Sequence, residues 1–144
     1  MNLIEIKEAV DFLNSRGVYK VENAIILGTG LGKLADLVSE SVVIPYSEIP
    51  HFPVSTVESH SGNLILGKLE NIKVIIFQGR FHFYEGYSME EIVFPIRVLK
   101  FLKVKNLFIS NAAGAINLSF KKGDLMLIKD HINLFPKHPL RGSN

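Results

Sequence analysis

The chain has no cysteine. That one absence removes disulfides, thiolate-bound zinc, iron–sulfur clusters and thiol nucleophiles together. It also fits a reducing compartment. No apolar run approaches the roughly 18 residues a membrane-spanning helix needs. The opening Met1-Asn2-Leu3-Ile4-Glu5-Ile6-Lys7-Glu8 brings acids too early for a secretory leader. Charge of one sign is scarce as well. Sixteen Lys and Arg face fourteen Asp and Glu, a net +2, and Lys121-Lys122 is the one compact basic spot. Nucleic-acid binders concentrate a basic face, so neither nucleic acid nor a membrane is expected as a partner, and a cytoplasmic location is. Internal repeats, charge blocks and low-complexity stretches are also missing. With 144 residues, 47% hydrophobic and 21% charged, the chain reads as one packed domain spanning 1–144.

What is present alternates in period. Leu3, Ile6, Val10 and Leu13 recur at helical spacing, with Gly17 placed to stop the helix. Ala24-Ile25-Ile26-Leu27 is a short unbroken apolar run, the pattern of a strand buried on both faces. Gly28-Thr29-Gly30-Leu31-Gly32 follows directly, and Leu31, Leu34, Ala35 and Val38 predict a short helix after it. From Val42 to Leu69 the chain is β-rich and broken by Pro45, Pro50, Pro53 and Gly62. Val74-Ile75-Ile76-Phe77 is a second buried-type strand after a turn at Glu70-Asn71. Leu107-Phe108-Ile109 and Leu125-Met126-Leu127-Ile128 are a third and a fourth. Ser88-Met89-Glu90-Glu91 is a capping box opening a helix through Ile92, Ile96, Leu99 and Leu102, with Pro95 expected in or near its first turn. The fold class expected is α/β, a mixed, largely parallel sheet flanked by helices.

Three apolar strands run into polar or glycine-bearing loops: Gly28-Thr29-Gly30, Gln78-Gly79-Arg80-Phe81-His82 and Asn111-Ala112-Ala113-Gly114. In open α/β sheets ligands bind outside the carboxyl ends of the strands, so parallel neighbours would bring these loops to one crevice. The first loop suits an anion, because glycine lets backbone approach closely and helix-start amides point positive dipole outward. It is no Walker loop: Gly28 and Gly32-Lys33 are separated by three residues rather than four, and Leu34 follows. Lys33 stands where a dinucleotide fingerprint needs glycine. A glycine-rich turn with no ligand is the alternative. In the second loop Arg80 offers a planar fork for phosphate, and His82 a further donor. In extended backbone Arg80, His82 and Tyr84 share a face. Taken singly, each also reads as a surface or packing residue. Ala112 and its neighbours leave room for a ligand against the backbone. His60 lies in a polar stretch, Glu58-Ser59-His60-Ser61-Gly62. His51, His131 and His138 have no partner at metal-ligand spacing and read as structural. No His-Glu-x-x-His or Gly-x-Ser-x-Gly occurs, so zinc protease and triad hydrolase readings have no support.

Five segments in fixed order carry a resemblance: Gly28–Gly32, Ser55–Gly62, Gly79-Arg80-Phe81-His82-Phe83-Tyr84-Glu85-Gly86-Tyr87, Asn111–Gly114 and Asp130-His131-Ile132-Asn133-Leu134. The chain resembles the trimeric purine nucleoside phosphorylases specific for 6-oxopurine nucleosides, over Gly28 to Asn144. The resemblance implies reversible phosphorolysis of purine (deoxy)ribonucleosides to free base and (deoxy)ribose 1-phosphate. Arg80 and His82 would be the catalytic pair. Thr29, Arg80, His82 and Ala112 would hold phosphate, His60 and Tyr84 the nucleoside sugar, with Glu85 and Asn111 in support. No metal or organic cofactor is implied, orthophosphate being a substrate, and a homotrimer would be the complete assembly. Two departures accompany it. The loop Asn133–Leu140 differs from the family's usual one, which presents an aromatic to a neighbour's sugar pocket; Phe135 is the residue available. The family also continues beyond the point matching Asn144, with the glutamate and asparagine that recognise the purine. The expectation is therefore an N-terminal half, and the alternative function is a non-catalytic phosphate- or nucleoside-binding fragment.

Overall fold

The computed structural model describes residues 2–54 and 62–141. The chain opens with helix α1, Leu3–Ser15, whose Asn2 cap accepts from the Ile4 amide while Glu5 reaches back to the cap. Five strands follow: β1 Asn23–Ile26, β2 Ser39–Pro45, β3 Asn63–Leu69, β4 Ile72–Gln78 and β5 Asn106–Ile109, with α2, Met89–Phe101, between the last two. The short helix predicted after the glycine loop is a 3₁₀ segment, Gly32–Leu37. The strands form one sheet in the order β2-β3-β4-β1-β5. β2 with β3 and β3 with β4 are antiparallel; β1 runs parallel to both β4 and β5. The sheet is thus mixed and flanked by helices.

Alternation along the strands divides the core in two. Ala24 and Ile26, Leu64 and Leu66, Ile75 and Phe77 face α1 and α2, packing against Ile6, Ala9, Leu13, Phe94, Val98 and Leu99. Leu27, Ile65, Val74 and Ile76 face the opposite way and bury against Ala35 and Val38 of the 3₁₀ segment and its end. Continuous apolar runs are what a strand covered on both faces requires. The β3–β4 hairpin turns through Glu70 and Asn71, both left-handed at φ 49° and 65°, the paired conformation of a two-residue hairpin loop matched to strand twist.

Pro95 lies inside α2 in its second turn, near the first as expected. The capping box is formed: Glu91 N–H donates to the Ser88 hydroxyl at 3.2 Å and the Ser88 amide to Glu91 at 2.7 Å. β5 is an edge strand, not a buried one, with Phe108 and Ile109 60% and 59% exposed. Leu125–Ile128 forms no strand; no described strand lies beyond β5 to pair with it. Instead β5 and the irregular chain after it enclose an open groove of about 970 Å³. Among the described residues, no helix is long and apolar enough to cross a membrane.

Ile75 is fully buried in β4 while Ile72, at the same strand's start, is 55% exposed. Ile75→Ala should therefore lower the unfolding free energy by about 2–5 kcal/mol in urea titrations, whereas Ile72→Ala should cost less than about 1. Hydrogen bonds from Ser88's backbone and side chain hold the Glu91 carboxyl below its usual range. A depressed carboxyl stabilises the fold above its unfolded value and loses that contribution as pH falls through the folded one. Ser88→Ala should thus cost about 1 kcal/mol at neutral pH, and the deficit should narrow when unfolding is repeated in acid below the usual carboxylate range.

Candidate active site

The site is built by β4, β1 and β5, three parallel neighbours. Ile26 pairs with both Phe77 and Ile109, so the three strands end at the same rim, about 4.8 Å apart. The ladder continues one step past the strands, with Leu27 N–H donating to Phe77 O at 3.1 Å and Ser110 N–H to Ile26 O at 3.2 Å. Beyond that step the loops diverge and are joined by side chains.

In the first loop Gly28 is buried, and Thr29 and Gly30 are exposed. Glycine fits at position 28 without strain, whereas a Cβ there would lie 2.4 Å from the Ser110 carbonyl oxygen and force a shift. Its amide does not face outward to an anion: it donates to the Ser110 hydroxyl at 2.8 Å. Oxyanion donors in this loop begin at Thr29, whose exposed hydroxyl makes no hydrogen bond among the described residues.

In the second loop Gly79 takes φ 112°, a left-handed conformation that costs side-chain-bearing residues energy, and so turns the chain out of β4. Its carbonyl accepts from the Tyr46 hydroxyl at 3.0 Å. Burial pushes that phenol well above its usual range, so it remains a donor. Phe81 packs between Tyr46 and Tyr87, with ring centroids at 5.3 and 5.6 Å. These contacts fix Arg80 and His82 from both sides. One Nη of Arg80 donates to the Ser110 carbonyl at 3.1 Å, leaving its remaining donors without a partner among the described residues.

His82 caps the short 3₁₀ turn Phe83–Glu85, which ends at left-handed Gly86. Spacing of three brings Glu85 back to the His82 Nδ1, which orients the ring and leaves Nε2 for a ligand. Tyr84 stacks on that ring at 4.8 Å and 19° while remaining 81% exposed. Burial raises the Tyr87 phenol above its usual range, with the charges of Glu85 and then Glu91 adding to it; its hydroxyl donates to Val54 O at 2.8 Å.

The third loop holds Asn111 and Ala112, both exposed; the Asn111 side-chain Nδ2 donates to Ala112 O at 3.2 Å. Phe135 comes edge-on to Phe83 at 5.6 Å, tying the later chain to the second loop. His60 lies outside the described residues. His51 bonds Glu8 of α1 and packs on Phe94, a structural role. Two contributors escaped the sequence reading. Tyr46 gave no local signal, because its partner is 33 positions away. Ser110 gave one: it is the hydroxyl directly before Asn111-Ala112-Ala113-Gly114 at a strand's carboxyl end.

Comparison with known proteins gives consistent matches. The family model described as the phosphorylase superfamily matches residues 22–144. Purine nucleoside phosphorylase 1 of Geobacillus stearothermophilus is 51% identical over 144 residues, covering all of this chain and 53% of the relative. The protein of the same name from Bacillus subtilis (strain 168) is 52% identical over 139 residues, covering 96% and 51%. Among solved structures, isoform 2 of purine nucleoside phosphorylase from Schistosoma mansoni, in complex with cytosine and ribose-1-phosphate, superposes with a TM-score of 0.80. It is 46% identical, and the match covers 85% of this chain and 43% of that one. The chain spans about half the length of the curated relatives it matches.

The close approach of the first and third loops makes a steric test. Gly28→Ala should destabilise the fold by about 1–3 kcal/mol in urea unfolding through overpacking against Ser110. Gly32→Ala, with open space around the added methyl, should stay within about 0.5 kcal/mol of the parent.

Proposed function

The chain belongs to the phosphorylase superfamily, and from that premise we propose that it provides the phosphate and sugar sites of a purine nucleoside phosphorylase, as the N-terminal part of that fold. The observation that carries this reading is the β4-β1-β5 rim: a hydroxyl-bearing glycine bend leaves β1, a guanidinium and an oriented imidazole leave its parallel neighbour β4, and the Ser110 carbonyl after β5 holds the guanidinium. In this reading Thr29, Arg80, His82 and the Ala112 amide grip orthophosphate. The sugar lies against Tyr84, with His60 at its far end, and Asn111 supports the third loop. Relatives at 51% and 52% identity bearing the phosphorylase name, and a structural neighbour in complex with ribose-1-phosphate, support it.

Chemically the residues position and polarise. Arg80 and His82 hold the phosphate dianion against the anomeric carbon, so a bimolecular attack becomes an intramolecular one. As the carbon–nitrogen bond to the purine breaks, the sugar takes on oxocarbenium character, and the fixed dianion stabilises it while forming the new carbon–oxygen bond. The purine leaves with the bonding electron pair and takes up a proton, balanced by the one that hydrogen phosphate gives up, so that free base and sugar 1-phosphate result. Glu85 acts on this chemistry through His82, whose ring it orients. The same reading includes no metal or organic cofactor, a homotrimeric assembly and a cytoplasmic setting; the cysteine-free composition suits the last.

The test is phosphate titration by calorimetry, followed by inosine phosphorolysis read as hypoxanthine release. Phosphate binding with turnover supports the enzyme. Binding without turnover supports a phosphate- or nucleoside-binding fragment, and no binding removes both. Loss of charge-assisted bonds worth about 1.5–3 kcal/mol each means Arg80→Ala should weaken phosphate binding about tenfold to a hundredfold. Where turnover is present it should also raise the phosphate KM and lower kcat together. Unchanged values for Arg80→Ala would contradict the assignment.

A further inference from the structure

One residue bonds to both of the other loops. The Ser110 hydroxyl accepts the Gly28 amide at 2.8 Å and donates to the Ile26 carbonyl at 3.3 Å. Its own carbonyl accepts from Arg80 at 3.1 Å, and its amide extends the β1–β5 ladder to Ile26. Among the described residues, no hydrogen bond runs directly from the glycine loop, 28–33, to the second loop, 79–86. Beyond the last ladder bond, the hydrogen-bonded path between the glycine loop and Arg80 passes through Ser110. Two oxyanion donors on separate loops grip one ion only if their separation is held, and small displacements cost binding steeply.

We propose that Ser110 is a positioning residue: its hydroxyl sets the first loop, and its carbonyl the guanidinium, in one register, so that the Thr29-to-Arg80 span is fixed before phosphate arrives. The proposal rests on the phosphate reading of the rim. It goes further in assigning the register to a hydroxyl that touches neither phosphate nor sugar. Deleting the hydroxyl leaves the buried Gly28 amide unpaired, which is the costly half of a broken hydrogen bond. The loop then shifts to find another acceptor, carrying Thr29 away from Arg80.

The experiment compares the parent chain with Ser110→Thr, Ser110→Val and Ser110→Ala by phosphate calorimetry, with urea unfolding on each. Thr and Val are nearly equal in shape and differ in the hydroxyl, so the pair separates hydrogen bonding from packing. Ser110→Thr should keep the parent's phosphate affinity to within about twofold. Ser110→Val and Ser110→Ala should weaken it about tenfold while remaining folded. Should Ser110→Ala not fold, the Thr/Val pair alone decides. Equal phosphate affinity in the Thr and Val proteins would overturn the role of Ser110 and leave the phosphate site standing. A parent chain with no phosphate binding at all would overturn the site and the proposal together.

Discussion

The parallel pairing of β1 with β4 on one side and β5 on the other is the constraint from which the rest follows. Parallel strands put all their carboxyl ends at one edge, and a sheet has strands only about 4.8 Å apart. Three loops that are 50 and 30 residues distant in sequence therefore begin as spatial neighbours before any side chain contributes. Pairing of Ile26 with both Phe77 and Ile109 aligns them to the same level. The antiparallel β2 and β3 take no part in the rim, but they cover the far side of β4 and carry Tyr46 to the Gly79 carbonyl. An apolar element thus serves the polar one.

Within the rim, rigidity and availability are divided among different atoms of the same residues. Arg80 spends one donor on a backbone carbonyl and keeps the remainder; His82 spends Nδ1 on Glu85 and keeps Nε2. Gly28 spends its amide altogether and contributes closeness instead. Groups held in this way lose little freedom when an anion arrives, which is the energetic content of preorganisation. The stacked pair His82 and Tyr84 extends the same logic one residue further, since ordering one ring orders the other.

How much of this the sequence disclosed depends on distance along the chain. The capping box at Ser88, the Glu70-Asn71 turn and the apolar runs of β1 and β4 are local patterns, and each forms where the residues indicate. The two helices lie on one face and the 3₁₀ segment on the other, as alternation in Ala24–Leu27 and Val74–Phe77 dictates. The place of Arg80, His82 and Thr29 at the rim was legible because chemistry-bearing residues stand immediately after strand-like runs, and Ser110 carries that same signal after Leu107-Phe108-Ile109. Tyr46 carries none, since its partner lies on another element and no local period announces such a contact. Leu125–Ile128 misled for a related reason. Its composition is strand-like, but a strand is a pairing, and the described sheet offers it no neighbour.

The outer side of β5 merits a last consequence. Its inner side is joined to β1, while the opposite row of amides and carbonyls borders Phe108 and Ile109, both largely bare. Among the described residues no strand takes up that row, so an extended segment, of this chain or of another, would meet donors and acceptors already aligned for it.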